Sequence, residues 1–345
     1  MSSPKFRSGK LYNVAVVGAT GMVGTEFLKI AAERAFPVKQ LKLLATERSA
    51  GKRIPFGESE ITVEVTTADA LKGADFVFVS ASDVASKEYC ALARDNGAIA
   101  IDDSGVWRQH PDVPLVVTEV NPDDVEQHKG ILAIPNCSTT PLVMCLWPLH
   151  KQNRVARVIA DTYQSVSGTG TAAVAELEAQ SRAWAQGGEA PASVYPQQIA
   201  FNALPHIGSW KDSGYSSEEW KMTAETRKIM HEPELPLSAT CVRVPVFIGH
   251  SLAVHAEFER PISPDDVRAI LRDAPGLVVQ DDLASNVYPT PLTAAGEDPV
   301  YVGRIRKDVS CENGIAMWIS SDNIRKGAAL DAIQIAEEMI ARGLV

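Results

Sequence analysis

A glycine-rich turn near the start of the chain limits the fold more than any other feature. Gly18, Gly21 and Gly24 follow a short β-rich run, residues 13–17, and open a helical pattern over residues 22–35. Glycines at this spacing allow a tight turn, close approach of the backbone to a pyrophosphate, and close packing of a helix on a strand. Such turns also occur without a ligand. The position directly after the first strand favours a dinucleotide-binding fold.

The pattern after this turn alternates between β-rich and helical segments. Further strands are predicted over residues 41–45, 76–79 and 98–101, and a helix over residues 86–96. This order predicts a parallel sheet with helices on both faces. The fold class is therefore α/β, with a Rossmann-like dinucleotide-binding domain.

Longer strands after residue 156 indicate a second, α+β domain with an antiparallel or mixed sheet. Its strands are expected over residues 157–165, 239–247 and 252–257, and an insertion between them carries helices over 172–185 and 217–230. A chain of 345 residues exceeds the size at which one core usually keeps growing. We expect residues 1–136 to form the dinucleotide-binding domain, completed by a C-terminal helix over 322–345 that Asp322 and Asn323 cap. Residues 137–321 form the second domain.

The composition argues against several classes of protein. Five cysteines, at positions 90, 137, 145, 241 and 311, form an odd, widely spaced set without a C-x-x-C pair, so neither a disulfide framework nor a metal site is expected. The net charge of −10 is spread without long like-charge blocks, which argues against nucleic-acid and membrane partners. The sequence lacks an apolar stretch of about eighteen residues and begins with a polar lead over residues 1–10, so we expect a cytoplasmic protein.

One cysteine lies where a strand-like run meets a helix start. The segment 135–141 reads Pro-Asn-Cys-Ser-Thr-Thr-Pro and follows the apolar run 130–134. The N–H groups at a helix start stabilise a thiolate, and the hydroxyl residues at 138–140 are types that cap helices. Cys137 is therefore a candidate nucleophile, although most lone cysteines are small buried hydrophobic residues.

A nucleophilic thiol in a nicotinamide-binding chain suggests aldehyde chemistry, in which the thiolate adds to a carbonyl, hydride leaves and a thioester remains. Such an enzyme needs a proton shuttle. His250 is the best candidate because it lies beside Gly249 in a predicted turn between two strands. His255 falls within the second of those strands, and the other five histidines have no ligand spacing, so packed or surface roles are expected for them.

The end of the second predicted strand bears on the choice of cofactor. Residues 45–49 read Ala-Thr-Glu-Arg-Ser, at the place where a dinucleotide fold meets the adenosine ribose. Glu47 would suit the ribose hydroxyls of NAD. Arg48, with the hydroxyls of Thr46 and Ser49, suits the 2′-phosphate of NADP because Arg forms paired charge-assisted bonds to it. We favour NADP; the alternative is a solvated turn.

Seven motifs in order resemble the bacterial aspartate-β-semialdehyde dehydrogenase family over nearly the whole chain. They are the glycine turn 18–24, Arg-Ser-Ala-Gly at 48–51, Asn-Cys-Ser-Thr at 136–139, Thr-Tyr-Gln at 162–164 with Val-Ser-Gly at 166–168, Glu-Glu-Trp-Lys-Met at 218–222, Arg-Val-Pro-Val at 243–246 with Gly-His-Ser at 249–251, and Ser-Asp-Asn-Ile-Arg-Lys-Gly-Ala-Ala at 321–329. One departure precedes Arg108. The segment 103–107 reads Asp-Ser-Gly-Val-Trp, where the family usually has a small-residue run ending in Phe-Arg, so the conformation of this loop is left open.

The resemblance implies roles for individual residues. Cys137 matches the nucleophile, His250 the acid/base and Gln164 the residue that orients the substrate. The implied substrate contacts are Arg243 with the α-carboxylate, Glu219 with the amino group, and Arg108 and Lys221 with phosphate. The implied cofactor contacts, added to Gly18 and Gly24 of the turn, are Thr20, Gly21, Met22, Val23, Arg48, Ser49, Ser167, Gly168 and Asn323.

The reaction implied by the resemblance is the reversible NADP-dependent reductive dephosphorylation of 4-phospho-L-aspartate (aspartyl phosphate) to L-aspartate 4-semialdehyde and phosphate. It proceeds through a Cys137 thioester and belongs to the biosynthesis of lysine, threonine, methionine and diaminopimelate. The resemblance also makes residues 137–321 a catalytic and dimerisation domain and implies a homodimer. Two alternatives stay open: a related acyl-phosphate reductase, such as N-acetyl-γ-glutamyl-phosphate reductase, and a catalytically silent paralogue that acts as a binding subunit.

Overall fold

Two compact units divide the chain. The computed structural model describes residues 9–345, so most of the polar lead expected over residues 1–10 lies outside the described residues. One unit runs to Pro135 and also includes Ala328–Val345, and the other comprises Asn136–Gly327. Within residues 9–345, no helix is long and apolar enough to cross a membrane.

Regular structure is present in both units. In chain order the described strands are β1 (Tyr12–Val17), β2 (Val38–Ala45), β3 (Arg53–Phe56), β4 (Ser59–Val65), β5 (Phe76–Val79), β6 (Ile99–Asp102), β7 (Ile131–Ala133), β8 (Val155–Gln164), β9 (Leu237–Arg243), β10 (His250–Phe258), β11 (Leu277–Val279), β12 (Val300–Lys307) and β13 (Gly314–Ser321). The described helices are α1 (Met22–Glu33), α2 (Asp83–Asp95), α3 (Thr139–Gln152), α4 (Thr171–Ala185), α5 (Ser217–Ile229), α6 (Pro264–Asp273), α7 (Pro291–Ala294) and α8 (Leu330–Arg342).

A mainly parallel sheet forms the centre of the first unit. Its strand order within the described residues is β3-β4-β2-β1-β5-β6-β7, and every neighbouring pair is parallel except the β3–β4 hairpin. The strands β5, β6 and β7 are buried throughout, as expected for parallel strands that are covered on both faces. The Rossmann-like domain predicted from the alternating pattern is confirmed.

The C-terminal helix α8 packs into the core of this first unit. Ile333, Ile335 and Met339 of α8 belong to the same buried apolar cluster as Phe27 of α1 and Leu43 of β2. Burial of these side chains ties the end of the chain to a sheet that forms near its beginning.

The segment before α8 begins with a cap, as predicted. Oδ1 of Asp322 accepts the backbone N–H groups of Ile324 at 2.7 Å and Arg325 at 3.0 Å. A π-helical turn, Arg325–Ala329, follows, and the regular helix begins at Leu330. The helix therefore starts later than residue 322, because the capped segment first forms this wider turn.

A mixed sheet forms the centre of the second unit. Its strand order in the described part of the chain is β11-β12-β13-β10-β8-β9. Strand β10 is antiparallel to both β13 and β8, whereas β8 and β9 run parallel. The antiparallel or mixed sheet expected after residue 156 is therefore a mixed one.

The register of this sheet brings three predicted site residues to one edge. Gln164, the last residue of β8, pairs with Arg243, the last residue of β9. Tyr163 pairs with Ser251 of the antiparallel strand β10, so His250 lies one position further towards the same edge. Residues far apart in sequence thus meet where β8 and β9 end and β10 begins.

Candidate active site

The glycine turn of the first unit depends on the absence of side chains. Gly18 has φ +86°, and a Cβ there would lie 2.0 Å from the carbonyl oxygen of Ser80. A Cβ on Gly24 would lie 2.3 Å from the Gly18 oxygen, whereas a Cβ on Gly21 would meet only that oxygen, at 3.3 Å. Gly21 is the N-cap of α1 and has no side chain to cap the N–H groups of the first helical turn. The turn therefore fits a pyrophosphate, which those N–H groups can bind.

The end of β2 lies against the glycine turn. A 3₁₀ turn, Glu47–Ser49, follows the strand, and the buried Ser49 hydroxyl accepts a 3.3 Å hydrogen bond from the hydroxyl of Thr20. Glu47 and Arg48 are exposed beside it. Both side chains are thus available to an adenosine ribose or to its 2′-phosphate.

Cys137 lies directly before α3, as predicted for a thiol at a helix start. The side chain of Ser138, the N-cap residue, makes no capping hydrogen bond. Asn136 caps instead: its Oδ1 accepts the Ser138 N–H at 2.9 Å, and its carbonyl accepts the Thr139 N–H at 2.8 Å. Gly327 packs against the thiol residue, since a Cβ on Gly327 would lie 2.8 Å from the Cβ of Cys137.

A buried carboxylate, Glu218, connects the cysteine segment to the edge of the sheet. Its Oε1 accepts hydrogen bonds from Nδ2 of Asn136 at 2.8 Å and Nε2 of Gln164 at 3.0 Å, and its Oε2 lies 3.3 Å from Nζ of Lys221. Burial acts to raise the pKa of Glu218, but the charge of Lys221, the two amide donors and the charge of Arg243 outweigh it and lower the pKa to about 2. The site therefore holds an ionised carboxylate.

Glu219, the predicted partner of the substrate amino group, lies elsewhere. Its Oε2 accepts the Ser216 N–H at 2.6 Å, and its Oε1 accepts the Cys241 N–H at 3.0 Å. Ser216 and Glu219 form the capping box of α5, so both carboxylate oxygens hold backbone groups. Sequence reasoning missed Glu218. Two signals could have identified it: the Ser-x-x-Glu pattern that ends at Glu219, and the three-residue spacing from Glu218 to Lys221, which places both on one helix face.

His250 and Arg243 both lie against Gly168. His250 is the first residue of β10 rather than part of a turn; it is fully buried, and its Nδ1 accepts the Ser165 N–H at 3.0 Å. Burial, followed by the charge of Arg243, lowers the pKa of His250 to about 3. A Cβ on Gly168 would lie 3.0 Å from Nη1 of Arg243 and 3.2 Å from Nε2 of His250. Gly168 therefore packs closely against both groups, and a side chain at this position would press on them.

Asn323 and Ser167, predicted cofactor contacts, are buried beside the histidine. Oδ1 of Asn323 accepts the Gly249 N–H at 2.9 Å, and its Nδ2 donates to the hydroxyl of Ser167 at 3.0 Å. Ser167 and Gly168 belong to a 3₁₀ turn, Val166–Thr169, that follows β8. The second unit thus brings these three predicted cofactor contacts together with the catalytic candidates.

Arg108 lies in the first unit, in the loop that departs from the family pattern. The indole Nε1 of Trp107 donates to the Ser86 carbonyl in α2 at 3.4 Å, and Nη2 of Arg108 donates to the Asp103 carbonyl at 2.8 Å. These bonds give the altered segment a defined conformation. Lys221 lies in the second unit, where its side chain is 41% exposed beside Glu218, so its ammonium remains accessible to an anion.

The chain combines a dinucleotide-binding fold with a cysteine suited to attack a carbonyl. This combination is typical of a nicotinamide-dependent dehydrogenase that acts on aldehydes. Two family models match the chain: "semialdehyde dehydrogenase, NAD binding domain" over residues 13–128 and "semialdehyde dehydrogenase, dimerisation domain" over residues 146–326. An aspartate-semialdehyde dehydrogenase of Aquifex aeolicus (strain VF5) is 50% identical over 338 residues, which cover 97% of this chain and 99% of the relative.

Solved structures agree with this assignment. Aspartate semialdehyde dehydrogenase II from Vibrio cholerae, complexed with ASA, has a TM-score of 0.92 and 39% identity, over 96% of this chain and 98% of that one. The Candida albicans aspartate semialdehyde dehydrogenase with NADP has a TM-score of 0.76 and 27% identity, over 97% and 100% of the two chains. The chain belongs to the aspartate-semialdehyde dehydrogenase family, and it is an oxidoreductase with an NAD(P)-binding domain.

Proposed function

We propose that the chain catalyses the reversible NADP-dependent reductive dephosphorylation of 4-phospho-L-aspartate to L-aspartate 4-semialdehyde and phosphate. The observation that carries this proposal is the buried, ionised Glu218, which links the cysteine segment through Asn136 to Gln164 at the sheet edge. An ionised carboxylate beside Gln164 can also pair with a cation on the substrate. The Aquifex relative's name and the ASA in the Vibrio structure support the same substrate.

In the proposed reaction the chain's own residues carry the acyl transfer, and the cofactor would supply only the hydride. The Cys137 thiolate attacks the acyl carbon of the phosphorylated substrate, the carbon–sulfur bond forms, and phosphate leaves with the electrons of the broken carbon–oxygen bond. The bound nicotinamide cofactor supplies the hydride that the thioester carbon receives. The resulting tetrahedral oxyanion on Cys137 re-forms its carbonyl and releases the aldehyde and the thiolate. Gln164 orients the acyl group. His250, the predicted acid/base, acts on the carbonyl oxygen.

The substrate's charges match the charged side chains of the chain. In our proposal Glu218, and not Glu219, binds the α-amino group. Glu218 contacts the side chain of the predicted site residue Gln164, whereas the oxygens of Glu219 hold the backbone of Ser216 and Cys241. Arg243 binds the α-carboxylate, since Arg presents paired donors to a carboxylate. Arg108 and Lys221 bind the phosphate, for which two cations are suited.

The cofactor in our proposal is NADP. Arg48 is exposed beside the buried Ser49 at the end of β2, and a guanidinium with a hydroxyl suits a 2′-phosphate. The presence of NADP in the Candida albicans structure supports this choice. Gly18, Gly24 and the N–H groups of the first turn of α1 would hold the pyrophosphate.

The cytoplasmic location stays a prediction. We also infer that the chain forms a homodimer, because residues 146–326 match the family's dimerisation domain. Sedimentation of the purified chain tests the oligomeric state. A monomer at micromolar concentration would contradict this inference.

The direct experiment measures reduction of NADP and of NAD by L-aspartate 4-semialdehyde, with and without inorganic phosphate. We expect phosphate-dependent formation of NADPH that exceeds formation of NADH. The reverse reaction tests the substrate, with 4-phospho-L-aspartate and N-acetyl-γ-glutamyl phosphate compared. The acylated amino group of the second compound offers no cation to Glu218. Only 4-phospho-L-aspartate should therefore turn over. Equal turnover of both compounds would contradict the role of Glu218.

A further inference from the structure

A segment outside the helices and strands, residues 191–204, is bound to α4 by a carboxylate. Glu176 of α4 is buried, and its Oε2 accepts the Ser193 N–H and hydroxyl, both at 2.7 Å, and the Val194 N–H at 2.5 Å. Hydrogen bonds to a carboxylate are stronger than those between neutral groups. The three bonds to one oxygen therefore fix the start of the segment.

Two further contacts fix the end of this segment. Oε1 of Gln180, one turn further along α4, accepts the N–H groups of Ile199 and Ala200, both at 3.0 Å. The backbone of Leu204 then pairs with that of Arg243 at the end of β9, with an N–H donated at 2.9 Å and one accepted at 2.8 Å. The segment thus runs from α4 to the sheet edge that carries Arg243.

Tyr195 lies on the segment between these anchors and reaches the 3₁₀ turn Val166–Thr169. Its ring packs against the buried apolar cluster that includes Val166 of the turn. Its hydroxyl donates a 2.8 Å hydrogen bond to the hydroxyl oxygen of Thr169, the last residue of the turn. Burial raises the pKa of Tyr195, although the bond with Thr169 and the charge of Arg243 act against it. The phenol therefore keeps its proton near neutral pH and remains a donor.

The turn that Tyr195 contacts carries two predicted cofactor contacts, Ser167 and Gly168. Asn323 holds the first of them, since its Nδ2 donates to the Ser167 hydroxyl at 3.0 Å. Thr169, on the other side of Gly168, has an exposed side chain that the Tyr195 hydroxyl holds. The turn is therefore supported on both sides of Gly168.

We propose that Tyr195 is a positioning residue that holds the turn Val166–Thr169 through the hydroxyl of Thr169. In this position, Ser167 and Gly168 contact the nicotinamide cofactor. The role rests on the proposed function, to which these cofactor contacts belong. Tyr195 touches no reacting atom in this proposal, so its loss weakens cofactor binding and leaves the chemical step unchanged.

Tyr195→Phe removes the hydroxyl and keeps the ring that packs on the apolar cluster. We expect the Kd for NADPH, measured by fluorescence titration, and the KM for NADP to rise about three- to tenfold, because one hydrogen bond is lost. The kcat and the KM for the semialdehyde should change less than about twofold. An unchanged Kd would overturn the proposal.

Tyr215→Phe is the matched control for this substitution. It removes a phenol hydroxyl that lies 2.9 Å from the hydroxyl of Ser238, in the same unit of the chain. We expect the control to leave the Kd for NADPH and the KM for NADP unchanged. A rise in the control equal to that in Tyr195→Phe would overturn the proposal, because any lost phenol hydroxyl would then have the same effect.

Thr169→Val tests whether the effect of Tyr195 passes through Thr169. Valine has nearly the shape of threonine but cannot accept the hydrogen bond. We expect Thr169→Val to raise the Kd for NADPH to a similar extent, and the double variant with Tyr195→Phe to bind no more weakly than either single variant. Losses that add in the double variant would show two independent contacts and would contradict the proposed route.

The position of the turn can also be measured without cofactor or turnover. Hydrogen exchange followed by mass spectrometry reports local opening of the backbone in a peptide that covers residues 165–172. We expect exchange in this peptide to be about threefold faster in Tyr195→Phe than in wild type and unchanged in Tyr215→Phe, with one thermal unfolding midpoint for all three proteins. Unchanged exchange in Tyr195→Phe, or a lowered midpoint that accounts for faster exchange, would refute the positioning role.

Failure of this proposal can be distinguished from failure of the proposed function. Cofactor binding to wild type is measured with both NADPH and NADH, and turnover of the semialdehyde is measured separately. A wild-type protein that binds either cofactor but converts the semialdehyde with neither would refute the proposed function alone. Normal turnover in wild type, with equal cofactor affinity in wild type and Tyr195→Phe, would refute the role of Tyr195 alone.

Discussion

The candidate sites of the two units are built from different parts of the chain. In the first unit, Gly18 and Gly24 form the turn because a side chain at either position would collide with a backbone oxygen, at 2.0 Å and 2.3 Å. In the second unit, Glu218, Gln164 and His250 are buried side chains that depend on specific hydrogen bonds. One site is built from backbone, and the other from a network of side chains.

This difference predicts two patterns of response to substitution. A site made of backbone N–H groups fails when the backbone cannot adopt its path, so the loss appears first in stability. A site made of buried side chains fails when one donor or acceptor is removed, so the loss appears in activity while the fold survives. The substitutions below test whether the two sites respond in these two ways.

Replacement of the nucleophile should have the largest effect on activity. Cys137→Ser exchanges the thiol for a hydroxyl that is a far weaker nucleophile near neutral pH, so phosphate-dependent NADPH formation should fall by about 10³-fold or more. Because the side chain is only partly buried, the thermal unfolding midpoint should change little. Cys311→Ala, a partly buried cysteine between β12 and β13, is the control and should keep its activity. Full activity in Cys137→Ser would remove the thioester from the mechanism.

Substitution in the glycine turn should have the largest effect on stability. Gly18→Ala places a methyl group 2.0 Å from the Ser80 oxygen in a backbone conformation with φ +86°, and we expect a loss of about 3 kcal/mol or more in the free energy of unfolding. Gly21→Ala meets only one backbone oxygen, at 3.3 Å, so it should fold and instead raise KM for the cofactor. Denaturant unfolding and cofactor kinetics of the two variants measure this contrast. Equal stability of both variants would refute the close approach at Gly18.

The first site could be predicted from sequence because its determinants are local. The glycine spacing, the preceding apolar run and the following helical pattern all lie within residues 13–35. Strands whose formation depends on distant partners were missed. The β3–β4 hairpin contains Pro55 and Gly57, residues that are uncommon in strands. β13 contains the strand-forming residues Ile315, Trp318 and Ile319, and its place between β12 and β10 depends on partners that a local pattern does not reveal.

The second site was predicted less completely because its geometry depends on the residue at which each helix starts. That residue decides the direction in which every side chain of the helix points. The helix start at Cys137 was predicted correctly, but Asn136 rather than a hydroxyl residue caps it. Glu218 and Glu219 are neighbours of the same type, and only the position of the helix start decides which one caps α5 and which one faces Gln164. Motif matching alone does not contain that information.

The pair Glu218 and Glu219 therefore offers the sharpest test within one helix. Glu218→Gln should keep the fold and raise KM for the semialdehyde by about 10- to 100-fold, because the substrate's amino group loses its charged partner. Glu219→Gln should change the substrate KM little and instead lower the free energy of unfolding by about 1–2 kcal/mol, through the capping box and the Cys241 N–H. The opposite assignment of the two effects would restore Glu219 as the substrate contact.

The ionised state of Glu218 also predicts a pH dependence of stability. Its pKa in the folded chain is lowered from 4.5 to about 2, so on acidification the unfolded chain takes up this proton first. The carboxylate therefore stabilises the fold above about pH 4.5, and this contribution is lost as the pH falls towards 2. The free energy of unfolding of wild type should fall more steeply across this window than that of Glu218→Gln. Parallel curves for the two proteins would contradict the lowered pKa.

The smallest effect should come from the exposed turn that selects the cofactor. Arg48 and Glu47 are exposed neighbours, so neither substitution should change the thermal unfolding midpoint, and only cofactor kinetics should respond. If Arg48 binds the 2′-phosphate, Arg48→Ala should raise KM for NADPH about tenfold and leave KM for NADH nearly unchanged. Glu47→Ala should not weaken NADPH binding, since the removed carboxylate repels a phosphate. The reverse result, in which Glu47→Ala impairs NADH and Arg48→Ala leaves NADPH unaffected, would identify NAD as the cofactor. It would also show that this part of the first site, unlike the glycine turn, depends on a single side chain.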